Sequence, residues 1–268
     1  MIDQTAELYD AMPKQIPMLQ AKHPANSPES NGTYERSGER RQQQVRRLTE
    51  SGLHYYNNGK LEEAAACYRK ALEIRADSTV ALYHLGVISG QLKQYEESKD
   101  AFKRLVGLLE VFALAQSAGA NFPVDRATLA RAHQGIGASL MGMWGAIGPQ
   151  EPPVEVAIEG ELEFRRAAEL DPNYPGAWVG LGIALHILQR LDEAEAAFRK
   201  ALDIDPESQV ATERLRAVLE DKLERRLFEL GYLSKINKTI RDFTPYENRT
   251  LIKVEGKPLS ETIVEERR

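Results

Sequence analysis

The chain has 268 residues, of which 42% are hydrophobic and 28% charged, a balance that suits a soluble helical protein. Its net charge of −5 argues against a general nucleic-acid binder, which needs a basic face to displace counterions. One cysteine, Cys67, allows no internal disulfide and points to a reducing compartment.

Residues 1–39 hold Pro13, Pro17, Pro24, Pro28, Gly32 and Gly38 among many polar residues and read as a disordered arm. Its acids (Asp3, Glu7, Asp10) and lack of an apolar run exclude a signal peptide, so the expected compartment is cytoplasmic. No stretch reaches the ~18 apolar residues of a membrane span. Short apolar pieces around Leu8, Tyr9, Met12, Ile16, Met18 and Leu19 could dock on a surface.

Helices are predicted over 40–56 and 61–74, joined by Asn57-Asn58-Gly59, then over 79–92 and 95–116. Ser117 to Pro123 breaks the fourth, and Asp125 is placed to cap a helix over 126–142. Met143 to Pro153 reads as a loop from its Gly and Pro content, although it carries Trp144 and Ile147. Trp144 and Ile147 are expected to fold back onto the helices, because a Trp tends to find a surface. Further helices follow over 155–170, 175–188 and 191–204, and an amphipathic one over 207–230. Residues 250–254 and 259–264 form two short β-prone runs about a Glu255-Gly256-Lys257-Pro258 turn, a short C-terminal hairpin within a tail spanning 231–268.

The helices repeat. Gly52 and Gly86 are 34 residues apart, as are Ala64 and Ser98, Tyr68 and Phe102, Phe164 and Phe198, and Pro172 and Pro206. The best copy reads Trp178, Leu181, Gly182, Leu185, then Ala194, Phe198, Ala201, Pro206. This pattern resembles the tetratricopeptide repeat (TPR), a helix-turn-helix unit that stacks on its neighbours. Small residues are wanted where helices touch, and a bulky one fills the space beside each contact. Gly137 to Gly182 spans 45 residues, 11 more than the period, so the third copy carries an insertion. Ala76 stands where the first copy's proline would sit, and Ser51 where a leucine would, as in a less regular end.

The resemblance implies an all-α fold: a right-handed superhelical solenoid of about four helix pairs over 40–230. The repeats fall at about 45–78, 79–112, 130–174 and 175–208, with a capping helix over 207–230. It also implies that the first helix of each pair lines a concave groove. Projected on the helical period, that groove is lined by Arg46, Thr49, Leu53 and Tyr56, then Val80, Tyr83, Val87 and Gln91. Arg131, Gln134, Ala138 and Met141 follow, then Val179, Ile183, His186 and Ile187. TPR adaptors that clamp two carboxylates use Lys, Asn and Arg. The matching places here hold Thr49, Leu53, His84, Arg131 and Gly135, so only Arg131 fits.

Nothing in the chain carries recognisable chemistry. The five histidines stand at no metal-ligand spacing, and neither a phosphate-binding loop nor a nucleophile elbow occurs. Cys67 reads as a packing residue beside Ala64, Tyr68 and Ala71. No catalytic, metal or cofactor residue is expected. The reading is a non-enzymatic scaffold or adaptor that binds a peptide or amphipathic helix of a protein partner in an apolar groove. A homo-oligomer is left open. Two alternatives stand beside it: a self-regulated module whose groove holds its own arm or tail, and a non-catalytic subunit of an enzyme complex.

Overall fold

A computed structural model describes residues 32–117, 125–147 and 154–232. Among them every regular element is an α-helix: α1 (Gly32–Asn57), α2 (Leu61–Ile74), α3 (Thr79–Gln91), α4 (Tyr95–Ser117), α5 (Arg126–Ile147), α6 (Val154–Leu170), α7 (Pro175–Ile187), α8 (Leu191–Ile204) and α9 (Gln209–Glu229). The fold is an all-α solenoid of helical hairpins. Residues 1–31, the 148–153 part of the expected loop and the expected hairpin at 250–264 lie outside the described residues, as do the side chains of Trp144 and Ile147.

Two helices run further than the sequence suggested. α1 starts at Gly32 rather than near residue 40. α5 continues to Ile147, through residues expected in a loop. Both extensions contain glycine but no proline. A helical glycine costs only about 1 kcal/mol against about 3 for proline, so glycine alone stops neither helix.

From α1 to α8 successive helices pack against each other, and the first helices of the hairpins also touch in series: α1 on α3, α3 on α5, α5 on α7. A glycine and an aromatic ring set each hairpin. A Cβ added at Gly52, Gly86, Gly137 or Gly182 would lie 2.8, 2.8, 2.8 or 2.7 Å from the ring of Tyr68, Phe102, Phe164 or Phe198. Each ring is fully buried. The same ring also supports the next hairpin. Phe102 lies against Gly135 and Phe164 against Gly180, each two residues before the glycine of that next hairpin. At the first junction His84 takes this place, and its ring stacks on Tyr68 at 5.1 Å and 16°.

The turns inside the hairpins also recur. Lys60 N–H bonds Tyr55 O while Gly59 N–H bonds Tyr56 O, with Gly59 at φ 72°. The same paired bonds close α3 at Lys93 (φ 62°) and α7 at Gln189 (φ 61°). Each is a left-handed residue that satisfies the last carbonyls of a first helix. Asp125 caps α5, accepting from Ala127 N–H at 3.1 Å and from the Thr128 hydroxyl at 2.6 Å.

Successive second helices are tied by ion pairs in register. A base just after the ring meets an acid on the next second helix: Arg69–Glu97 at 2.7 Å, Lys103–Glu159 at 3.6 Å and Arg165–Glu193 at 3.3 Å. The first is two-pronged and also takes the Ser89 hydroxyl at 2.7 Å. The hydrogen bonds from Arg69 hold the Glu97 carboxyl below its ordinary range. α9 buries Ala211 and Val218, and Lys222 reaches Asp192 and Glu195 of α8, both at 2.6 Å.

The chain divides into two compact units at Arg225. In the second, the described residues are the end of α9 and its stop. There Gly231 (φ 79°) donates to Phe228 O, and Tyr232 N–H bonds Leu227 O.

Candidate functional site

The projected groove residues divide by depth. Thr49, Tyr56, Tyr83, Val87, Gln134, Val179 and Ile183 are all buried, as are Ala138 and Met141. Arg46 is exposed, and Leu53, Val80, Gln91, Arg131, His186 and Ile187 are half-buried. The first helices stack directly on one another, so side chains at these positions reach the neighbouring helix as well as the space in front of it.

Several of the set have partners within the fold. The Thr49 hydroxyl donates to Arg46 O at 2.9 Å, and Arg46 pairs with Glu50 at 2.9 Å. Tyr83 meets Phe102 edge-on at 6.2 Å. His186 Nε2 lies 2.7 Å from Asp221 on α9. Arg131 differs: its Nε is buried and has no hydrogen-bond partner.

Around Arg131 stands a tyrosine cluster that crosses hairpins. Tyr174, the residue before α7, is buried and donates its hydroxyl to Gln134 Oε1 at 3.2 Å. Burial holds the Tyr83 and Tyr174 hydroxyls well above their ordinary range, and the nearby Arg131 charge works against that rise. Tyr56 also acts on Tyr83 electrostatically. Residues from α1, α3 and α5 and from the α6–α7 linker thus share one patch with the Arg131 cation. Sequence reasoning missed Tyr174 because it lies between helices, where no helical period points.

Among the described residues no group of three His, Cys, Asp or Glu side chains could hold a metal ion. His84 is held neutral, its pKa pushed down to about 4 by burial. Cys67 is free and half-buried. None of the described helices is long and apolar enough to cross a membrane.

The matches to known families fall on the same register. A family model described as TPR repeat matches residues 52–93, and two described as tetratricopeptide repeat match 80–108 and 159–208. No curated protein sequence matches the chain. Among solved structures, the MamA protein is 18% identical with a TM-score of 0.52, over 78% of this chain and 98% of that one. The APC/C hetero-tetramer Cut9–Hcn1 is 12% identical with a TM-score of 0.52, over 64% of this chain and 29% of that one. A thermophilic TPR protein of Thermus thermophilus is 16% identical with a TM-score of 0.48, over 70% of this chain and 83% of that one. At such identities the likeness is one of fold. TPR repeats generally mediate protein–protein interaction. The family matches cover the glycine–ring pairs of Gly52, Gly86 and Gly182 but not Gly137, and the chain carries tetratricopeptide repeats over 52–108 and 159–208.

Proposed function

We propose that the chain is a non-catalytic scaffold that holds a peptide or amphipathic helix of a protein partner against the face formed by α1, α3, α5 and α7. The recognition unit is residues 40–230, and the compartment is the cytoplasm, which suits one unpaired cysteine. The observation that carries the reading is Arg131. A guanidinium whose Nε is buried without an acceptor leaves a strong donor unused, and an arriving carbonyl or carboxylate would satisfy it. Leu53 and Val80 offer half-buried apolar surface on neighbouring first helices, and the buried tyrosines form a stiff floor. The segment that fits places apolar side chains on Leu53 and Val80 and one acceptor at Arg131.

A photo-crosslinking residue at Val80 tests this, with Arg199 on α8 as control, a position whose side chain is 63% exposed. The expected result is a discrete adduct from Val80 that Arg131→Glu removes. An adduct from Arg199 alone, or one from Val80 indifferent to Arg131→Glu, would reject the first-helix face.

A further inference from the structure

A second site lies on the other layer, between α4 and α6 with α5 as its floor. There a cavity of about 550 Å³ opens, its apolar wall made by Val106, Ile136 and Leu162 and the rest of its lining by charged side chains, among them Lys103, Glu110, Arg165, Arg166 and Glu169. Two ion pairs cross between α4 and α6 beside it, Lys103–Glu159 at 3.6 Å and Arg166–Glu110 at 3.8 Å. At its base lies His133, only 5% exposed. The ring's Nδ1 is 2.7 Å from Glu163 Oε2, which fixes its orientation. Nε2 is buried and has no partner. A buried polar nitrogen left unpaired costs stability unless something arrives to pair it.

We propose that this cavity receives a tyrosine side chain of a partner protein, its hydroxyl hydrogen-bonded to His133 Nε2. Val106, Ile136 and Leu162 offer an apolar body its contacts, and a cavity of this size is too large for Ser or Thr to fill. A cationic ligand group meets Lys103, Arg165 and Arg166, and an anionic one meets Glu110, Glu163 and Glu169, so the polar end is neutral. A phenolic hydroxyl both donates and accepts, and so suits Nε2 in either protonation state of the ring. An indole N–H suits only one. A protein rather than a free phenol is favoured because the wall continues. Leu162, Ile158 and Val154 are spaced four apart on α6 and are 61%, 45% and 58% exposed, a stripe that a flanking peptide covers.

The test is NMR titration of the full chain, read at the His133 ring resonances. The probes are N-acetyl-tyrosine amide, N-acetyl-phenylalanine amide and a short peptide with Leu and Tyr four residues apart. Blocked tyrosine should shift His133 and bind roughly three- to ten-fold tighter than blocked phenylalanine, as one added hydrogen bond gives. Leu162→Glu, at an exposed wall position, should abolish both. The peptide should bind several-fold tighter than blocked tyrosine and lose that gain in Ile158→Glu, as burial of one more side chain implies. Equal affinity for tyrosine and phenylalanine, or an unmoved His133, would overturn the hydroxyl contact. No gain for the peptide would assign the cavity to a free phenol instead. A change at His133 on Tyr9→Phe in the free chain would assign it to the chain's own arm. Either of these overturns the partner proposal.

Discussion

Gly182 shows how one residue sets a hairpin. Its missing side chain is where the Phe198 ring sits, and Phe198 is fully buried. Gly182→Ala puts a Cβ 2.7 Å from that ring, so either α7 and α8 separate or Phe198 leaves its place. The expected cost is on the order of 1–3 kcal/mol, against the gain of about 1 kcal/mol that alanine brings to a helix free of such a clash. Urea unfolding checks it: a midpoint at or above that of the parent would mean that the contact yields freely. The sequence carried this feature openly, because glycine and ring recur at a fixed spacing of 16 residues in three hairpins. The depth of the groove residues was not legible in the same way. A helical period says which way Tyr83 or Ile183 leans, but not that the next first helix lies against it. Glutamate at either position would bury a charge and threaten the fold, so a binding test belongs at Val80 and Arg131 instead.

The junction of α2 with α3 departs from the later ones, because His84 replaces the glycine against the preceding ring. Its neighbours are aromatic: it stacks on Tyr68, tilts against Tyr56 at 6.5 Å and meets Tyr83 edge-on at 5.5 Å. No counter-charge is among them, so the protonated ring is disfavoured and its pKa falls from 6.5 to about 4. The unfolded chain therefore takes up this proton at a higher pH than the folded one. The contribution is absent above about pH 6.5, stability falls as pH drops from there to about 4, and it levels off below. The loss summed over that window is on the order of 3 kcal/mol. Urea midpoints at pH 7 and pH 4.5 should differ by more in the parent than in His84→Phe, which keeps the stack without the proton. Equal differences would mean that His84 is protonated in place. At this scale helix ends were read well where proline, glycine or an aspartate cap marks them, as at Asp125 and Pro175. They were missed at Gly32 and Ile147, where glycine inside the helix reads as a break. The His133–Glu163 pair escaped because its 30-residue separation crosses the inserted hairpin.

In the whole molecule, one register serves packing on two layers and leaves two surfaces unfinished. The rings and glycines join hairpin to hairpin through their interior, and the ion pairs after each ring tie the second helices. Side chains between first helices are spent mostly on stacking, which leaves Leu53, Val80, Gln91, Arg131, His186 and Ile187 as the partly open part of the projected set besides the exposed Arg46. The repeat itself was legible from residue spacing, and with it the general role in protein interaction. The identity of the contacting residues was not, because it depends on which side chains the stack leaves uncovered. Hydroxyl-radical footprinting of the chain, alone and with the partner recovered by crosslinking, tests this most directly. Leu53, Val80, Arg131 and His186 should lose reactivity when the partner is bound, while Arg199 on α8 keeps its own. Unchanged reactivity at those four residues in a saturated complex would contradict it.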